Sequence, residues 1–401
     1  LFKFFMVSGK WGSCMTGSEV SSQSQAYDYD ITVLSTAALP WRTGPSMFCV
    51  WHAGGFARLG HKTALGLPWL DRTSQIRLWG EERFKTPQEQ EDWIRQEALH
   101  MGVPPLPDIF FFRGVFSKTT FSIFVTSDPY KAAPKSRYYV VEEPEHMAWI
   151  PCITPRRKLE TEKILGIVMT NFGFYIRKPK RPDRAAFAAI VEWRHKKLMR
   201  KYSDVIAPLS PAIDLEGLNH PVIRQQVTGV LDSFKSVPAV LPTQHGVYFM
   251  GRLVWDKAVD VVIDCAHQLD VPIDIFGEGP DQKAMEDRAH ALKAPVTFKG
   301  PSYSPWLDIE PYRVFFNPSL SEVLCTTTAE ALVAGRHVVI PDCPANTPFY
   351  DLPNVHVYQN DSGIEHALKT ALATLPEDPH KARQRFDWAN VCKSIVDVLQ
   401  A

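Results

Sequence analysis

Two carboxylates, Glu322 and Glu330, stand eight positions apart in SLSEVLCTTTAEALVAG (319–335), with small residues between them. "VFFNPS" reads as a strand reaching a sheet edge, and "SEVLCTTT" as the loop beyond it. Thr326, Thr327 or Thr328 is expected to cap a helix that Gly335 stops. Such a loop offers backbone N–H groups at the positive end of a helix dipole, which suits a diphosphate. Carboxylates fit poorly beside phosphate but well beside diols. Glu330, expected in the helix's first turn, therefore suits ribose hydroxyls, and Glu322 suits hydroxyls of a sugar. The bland alternative is two ordinary solvated or capping acids.

Two further elements bear on that choice. "GRLVWDKAVD" follows an apolar run and sets Arg252 and Lys257 five apart, around a turn into a helix. Two cations at a strand's C-terminal edge can neutralise a departing diphosphate. "IDIFGEGPD" ends another apolar run with Gly277, Glu278 and Gly279, where glycine lets backbone approach a planar base. Each is weak alone. In order, each at a strand end of one domain, they form a specific signal.

The elements that must position these residues alternate. "ITVLSTA", "KTALGLPWL", "YYVVEEPEH", "ILGIVMTN" and "DVIAPLS" read as strands separated by helical stretches. A second series runs through "GVYFMGRL", "PIDIFGEG", "VTFKG", "VFFNPS", "HVVIPD" and "VHVYQ", apolar nearly throughout, as strands covered on both faces are. The expected division is a linker or targeting remnant (1–29), a first α/β domain (30–238), a second (239–380) and a C-terminal helix (381–401). That helix, with Phe386, Trp388, Val391, Ile395 and Leu399 on one face, either covers the second sheet or crosses back to the first domain.

Composition bounds the partners. The 401 residues carry zero formal net charge, which removes the simplest argument for nucleic acid. Seven Cys lack Cys-x-x-Cys or Cys/His ligand spacing, so reduced buried thiols and no metal site are expected. The greasiest run, IFFFRGVFSKTTFSIFVT, is interrupted by Arg113 and Lys118, and no apolar run reaches the roughly 18–20 residues a membrane span requires.

The ordered set GRLVWDKA, FGEGP and Glu322/Glu330 is similar to the donor-binding half of retaining GT-B glycosyltransferases. With LPWRTG, GLPWL, VVEEPEHMAWI, ILGIVMTNFGFY and FFNPSLSEVLCTTTAEALVAGRHVV, the chain resembles the digalactosyldiacylglycerol synthase family over roughly residues 31–360. The resemblance implies an α/β GT-B fold, two Rossmann-like doubly wound parallel-sheet domains facing across a cleft. It implies a peripheral galactosyltransferase of the chloroplast (plastid) envelope membrane, making digalactosyldiacylglycerol from UDP-galactose and monogalactosyldiacylglycerol. No tightly bound cofactor is implied; UDP-galactose is a substrate.

Residue by residue, the resemblance puts Arg252 and Lys257 on the diphosphate, Glu322 on the galactose and Glu330 on the ribose. It puts the amides of Val323, Leu324, Cys325 and Thr326 on sugar and phosphate, and Gly277, Glu278 and Gly279 around uracil. Gly44 in the "TGPS" turn would close on the phosphates from the first domain. Glu143 and His146 of "EEPEH", with Glu145, are candidate contacts to the acceptor sugar, or else a solvated surface loop. Met169 and Asn171 of "MTN" join them. The family commonly has His where Met169 stands, and a thioether cannot donate a hydrogen bond. Slower turnover or altered sugar preference is therefore expected.

The most basic stretch, residues 177–202, reads as a helix with Phe187, Ile190, Val191 and Leu198 as a buried stripe beneath a solvated charged face. A sharper reading lets Lys196, Lys197, Arg200 and Lys201 hold anionic lipid. Rival functions are a related transferase with another sugar or lipid acceptor, a non-catalytic nucleotide-sugar or lipid-binding scaffold, and a nucleotide-sugar epimerase.

Overall fold

Short β-branched and aromatic runs between helices build two separate sheets. The computed structural model describes residues 26–41, 43–118, 120–150, 160–177 and 182–401. The Gly/Ser-rich N-terminal stretch and residues 178–181, near the head of the basic segment, lie outside the described residues.

The first sheet comprises β1 (Tyr29–Leu34), β2 (Thr63–Leu70), β3 (Asp108–Ser117), β4 (Ser122–Val125), β5 (Ser136–Glu142), β6 (Lys163–Val168) and β7 (Val205–Pro208), in the order β4-β3-β2-β1-β5-β6-β7. Its pairs are parallel except β3 with β4, where Phe116 faces Ile123 in an antiparallel edge hairpin. That hairpin is what becomes of the greasy run: Arg113 is at an exposed strand position while Phe112 and Phe116 face inward. Among the described residues no helix is long and apolar enough to cross a membrane.

The second sheet comprises β8 (Gly246–Met250), β9 (Ile273–Phe276), β10 (Val296–Gly300), β11 (Tyr312–Phe316), β12 (His337–Pro341) and β13 (Val355–Tyr358). Its order is β10-β9-β8-β11-β12-β13, and every pair is parallel. β11 and β12 are buried at every position, because helices cover both faces. In each sheet the strand order reverses once, between β1 and β5 and between β8 and β11. Ligands of such sheets sit beyond the strand C-termini at that reversal.

The C-terminal segment is two helices, His380–Arg385 and Trp388–Gln400, separated where Asp387 caps the second by accepting from the Asn390 amide. The second crosses back to the first sheet's helix Gly44–Arg58. Trp388 stacks on Trp51 with ring centres 5.4 Å apart, a contact worth about 1 kcal/mol beyond its buried area. A Cβ on Gly55 would meet Cys392 Sγ at 2.3 Å, so glycine is what lets the helices approach there.

The basic segment forms the helix Pro182–Tyr202. Of the expected stripe, Val191 is buried while Phe187 and Ile190 turn outward, and Ala188, His195 and Met199 complete the inward face.

Candidate active site

At the C-terminal end of β8 the chain turns through Gly251 and Arg252 into a short 3-10 turn, Trp255–Lys257. At the end of β9 it passes through Gly277–Gly279. These loops touch: the Leu253 amide donates to the Glu278 carbonyl at 2.9 Å. A Cβ on Gly277 would lie 1.9 Å from the Gly251 carbonyl oxygen, and one on Gly279 would lie 2.2 Å from that of Leu253. Gly277 also has φ +132°. Loop-to-loop contact thus requires the glycines in addition to any approach to a base, and Gly277, Glu278 and Gly279 line an adjoining cavity.

Past β11 the chain reaches the helix Thr326–Val333. Its N-cap is Cys325, without a side-chain cap, so no Thr plays the role predicted for it. Gly335 at φ +71° follows the C-cap Ala334. Glu330 lies in the second turn, not the first. Burial pushes its carboxyl up to about 7. Without side-chain capping, the helix N-terminus retains an electropositive backbone edge.

Two cavities open on this edge. One of ≈830 Å³ is lined by Arg252, Gly277, Glu278, Gly279, Thr327 and Glu330, among others. A second of ≈430 Å³ shares Arg252 and Thr327 and adds Lys257, Glu322, Leu324, Cys325 and Thr326. The first sheet contributes Thr43, Gly44 and Tyr175 to this second cavity. Inside it Lys257 Nζ donates to Glu322 Oε1. Burial opposes the Lys257 charge, but the Glu322 carboxylate outweighs this, and the ammonium titrates above its ordinary value. A third cavity of ≈190 Å³ brings Asn171, Phe174 and Tyr175 against Glu322 and Val323. The Ser210 hydroxyl donates to the Val323 carbonyl, fixing that loop to the segment between the sheets.

The acids after β5 are arranged differently. Glu143, at φ 54°, accepts from Thr36 Oγ1 at 2.7 Å and from Thr170 Oγ1, and lies 3.9 Å from His146 Nδ1. Burial opposes its charge, yet these partners hold its carboxyl below the ordinary value. His146 is buried between Phe124 and Phe172, with ring centres 5.3 and 5.4 Å away. Glu145 is fully buried, and burial raises its carboxyl well above the usual range. The solvated-loop alternative does not survive this burial. Met169, only 4% exposed, packs in the first core beside Leu165 and Ile167. The missing imidazole donor was expected to matter at a sugar hydroxyl, but this thioether faces core. Asn171 uses its side chain locally, accepting from the Phe174 amide at 3.0 Å and donating to the Ala212 carbonyl at 2.8 Å.

Two features escaped the sequence argument. Tyr175, one turn beyond Asn171, bridges the cavities around Lys257 and Glu322; its spacing from Asn171 was the available signal. His52 gave none: it meets Glu142, 90 residues away, at 2.9 Å, and its Nε2 meets the Val227 carbonyl at 2.8 Å.

The sequence profile described as "Glycosyl transferases group 1" matches residues 244–375, which hold these donor-side elements. The chain is 31% identical over 376 residues to digalactosyldiacylglycerol synthase 1, chloroplastic, of Lotus japonicus, covering 89% of this chain and 47% of the relative. Against digalactosyldiacylglycerol synthase 2, chloroplastic, of Glycine max it is 29% identical over 384 residues, covering 90% of this chain and 81% of the relative. The chain thus spans about half the length of the synthase 1 relatives it matches. Among solved structures, Staphylococcus aureus TarM in complex with Fondaparinux, alpha-GlcNAc-glycerol and UDP superposes with TM-score 0.63 at 12% identity, covering 93% of this chain and 100% of that one. Anabaena Alr3699/HepE in complex with UDP and glucose gives 0.59 at 13% identity, again covering 93% and 100%. These likenesses establish a shared two-domain fold.

Proposed function

Because the chain belongs to the digalactosyldiacylglycerol synthase family of GT-B glycosyltransferases, we propose that it transfers galactose from UDP-galactose to monogalactosyldiacylglycerol. The product is digalactosyldiacylglycerol, formed with retention at the donor carbon. The observation that carries this reading is the convergence of Arg252, Lys257, Glu322 and Glu330 on two joined cavities at the strand reversal of the second sheet.

In this reading the larger cavity takes the nucleoside, with Glu330 accepting from ribose hydroxyls and the Gly277–Gly279 loop beside uracil. Arg252, Lys257 and the amides opening the helix Thr326–Val333 meet the diphosphate. Lys257 has three N–H bonds, so it can keep Glu322 as one partner while donating to phosphate. Glu322, held by Lys257, then faces the galactose. As the sugar–oxygen bond breaks, charge grows on the leaving phosphate, where those fixed donors act most strongly. The same phosphate can receive the acceptor's proton on the face from which it leaves, which preserves configuration. Gly44 and Tyr175 close the cavity from the first sheet and limit water at the reacting carbon. Chloroplast-envelope placement and a galactolipid acceptor follow the family and belong to this proposal.

The test offers the purified chain UDP-galactose or UDP-glucose with monogalactolipid vesicles and follows lipid products. Digalactolipid from UDP-galactose alone is expected. UDP binding without lipid product would favour a scaffold, and glucosylated product would reassign the donor.

A further inference from the structure

The cavities of the site stand in a row. That of ≈830 Å³ shares Arg252 and Thr327 with that of ≈430 Å³. The latter shares Tyr175, Ser321 and Glu322 with that of ≈190 Å³, whereas the first and third have no lining residue in common. Glu322 is the turning point: in the proposed reading nucleoside and diphosphate lie to one side of it, and the third cavity lies on the other. Its walls are of another kind. Phe174 and Leu320, 40 and 67% exposed, stand at its rim, and Ala212, Pro344 and Ala345 add to its apolar lining. Phe174 meets Tyr175 edge to face, with ring centres 5.7 Å apart. Among the described residues no cation lines it.

The polar groups of this third cavity keep bonding capacity in reserve. An amide side chain has two N–H bonds and a carbonyl oxygen with two lone pairs. Asn171 commits one N–H to the Ala212 carbonyl and accepts from the Phe174 amide, so one N–H remains to give. Ser321 donates its hydroxyl hydrogen to the Asp256 carbonyl at 2.6 Å, and its oxygen can still accept. Aromatic carbon beside a few hydrogen-bonding groups suits a pyranose ring, which carries C–H bonds on one face and hydroxyls around its edge. A carboxylate without a cation in the lining beside it does not suit a phosphate.

We propose that the third cavity receives the sugar ring of the acceptor, with Phe174 as the residue that reads it. The C–H face of the ring packs on Phe174, its hydroxyls meet Asn171 and Ser321, and its aglycone leaves past Leu320. A cavity of ≈190 Å³ has room for one ring, so the acyl chains stay outside. The reacting hydroxyl then arrives beside Glu322, the residue that also borders the donor's sugar. The inference rests on the transferase reading. It replaces the expected acceptor contacts from Glu143, His146 and Met169, which are 5, 6 and 4% exposed, and keeps Asn171.

The experiment measures transfer from UDP-galactose to octyl β-galactoside, a dispersed acceptor with a single sugar, and follows UDP-galactose affinity by calorimetry. Phe174→Ala is expected to raise the acceptor KM about five- to tenfold while donor affinity holds, and Phe174→Tyr to recover most of that loss. Ala212→Phe, which fills the cavity, is expected to lower transfer more than about tenfold, again at unchanged donor affinity. Melting curves verify that both variants fold. A second readout needs no turnover. Cys343 lines the same cavity and is the one thiol among the described residues that is not buried. Octyl β-galactoside should slow its alkylation by iodoacetamide, read by peptide mass spectrometry, and UDP alone should not. An acceptor KM unchanged in Phe174→Ala overturns the proposal. So does protection of Cys343 by UDP but not by the galactoside, since the donor then occupies the cavity. The two readings fail separately: absence of UDP-galactose binding overturns the transferase reading and this subsite with it, whereas donor binding and transfer that ignore both Phe174→Ala and Ala212→Phe overturn the subsite alone.

Discussion

Both sheets end their strands on one cleft, yet they furnish those ends in opposite ways. Beyond β8, β9 and β11, Arg252, Glu322 and Glu330 border open volume. Beyond β5, Glu142, Glu143, Glu145 and His146 are buried. Glu143 has Thr36, Thr170 and His146 around it, and Glu142 has His52. Glu143 has its hydrogen bonds filled from within the chain and a carboxyl held low, and Glu145 is sealed in with neither oxygen bonded among the described residues. Glu330 instead faces volume with its carboxyl raised by burial, arranged for a partner still to come. A charged motif at a strand end therefore says little until its partners are known.

The strongest challenge to this contrast is Lys257→Ala, which removes the proposed hydrogen-bond donor to phosphate and leaves Glu322 without its counter-charge. Galactosyl transfer should fall by about 10²–10³-fold, and Arg252→Ala should fall in the same range. Initial rates of lipid galactosylation, with circular dichroism to verify folding, measure both. Glu143→Gln should lose much less transfer than either. Equal losses for Glu143→Gln at an unchanged melting temperature would place the sealed acids in the chemistry and erase the contrast.

The sealed side should instead answer in stability. His52 Nε2 faces the Val227 carbonyl, which only accepts, so Nε2 carries a proton and Nδ1 shares another with Glu142. His52→Ala leaves Glu142 buried without that partner and opens space against Trp388, whose ring centre is 5.4 Å from the imidazole. A loss of about 3 kcal/mol is expected. Thermal melts should drop by roughly 5 °C or more while UDP-galactose affinity holds. Glu142→Gln keeps a donor for Nδ1 and should cost far less.

The donor side was the more legible half because its signals are local. Arg252 and Lys257, the Gly277–Gly279 loop and the Glu322/Glu330 pair each fall within one strand-to-helix turn, so short motifs carry their relative placement. Short, nearly continuous apolar runs likewise mark the strands of the second sheet. On the other side the decisive partners are distant in sequence: His52 meets Glu142 and Thr36 meets Glu143, at separations of 90 and 107 residues. No spacing rule reaches that far. The face of the helix Pro182–Tyr202 was misjudged for a related reason. Hydrophobicity alone picks the stripe from sequence, whereas the contacts of Trp149 and Phe172 with His195, from two separate segments, fix which side turns inward.

Glu330 sharpens the comparison through pH. Burial sets its carboxyl at about 7 in the unliganded protein, and the ionised form is the better acceptor for ribose hydroxyls. UDP-galactose has no ionisation of its own between pH 6 and 8. Its affinity should therefore rise about tenfold across that interval, following the ionised fraction of a group with this pKa. Stability runs the other way. A carboxyl raised from 4.5 to about 7 binds more protons folded than unfolded in that window, so its contribution falls as pH rises through it and is constant above. Glu330→Gln should flatten the affinity profile in calorimetric titrations. A profile that stays steep in Glu330→Gln would assign the titration to another group.

The finest test concerns the side chain that joins the two halves. Tyr175 comes from the first sheet's territory, yet it borders both cavities that contain Glu322. Burial raises its hydroxyl, with Lys257 opposing and Glu322 adding to the shift, so it stays protonated at neutral pH and can donate. If it donates one hydrogen bond to the donor sugar or its phosphate, Tyr175→Phe should lower kcat/KM by about 3–10-fold, the size of one net hydrogen bond. Tyr175→Ala also removes the ring that covers the reacting carbon. It should increase hydrolysis of UDP-galactose relative to transfer, measured as free galactose against digalactolipid. A loss in Tyr175→Phe as large as that in Lys257→Ala would make the first sheet a supplier of chemistry instead of a cover. An unchanged ratio of hydrolysis to transfer in Tyr175→Ala would remove even the covering role, leaving the donor side to exclude water unaided.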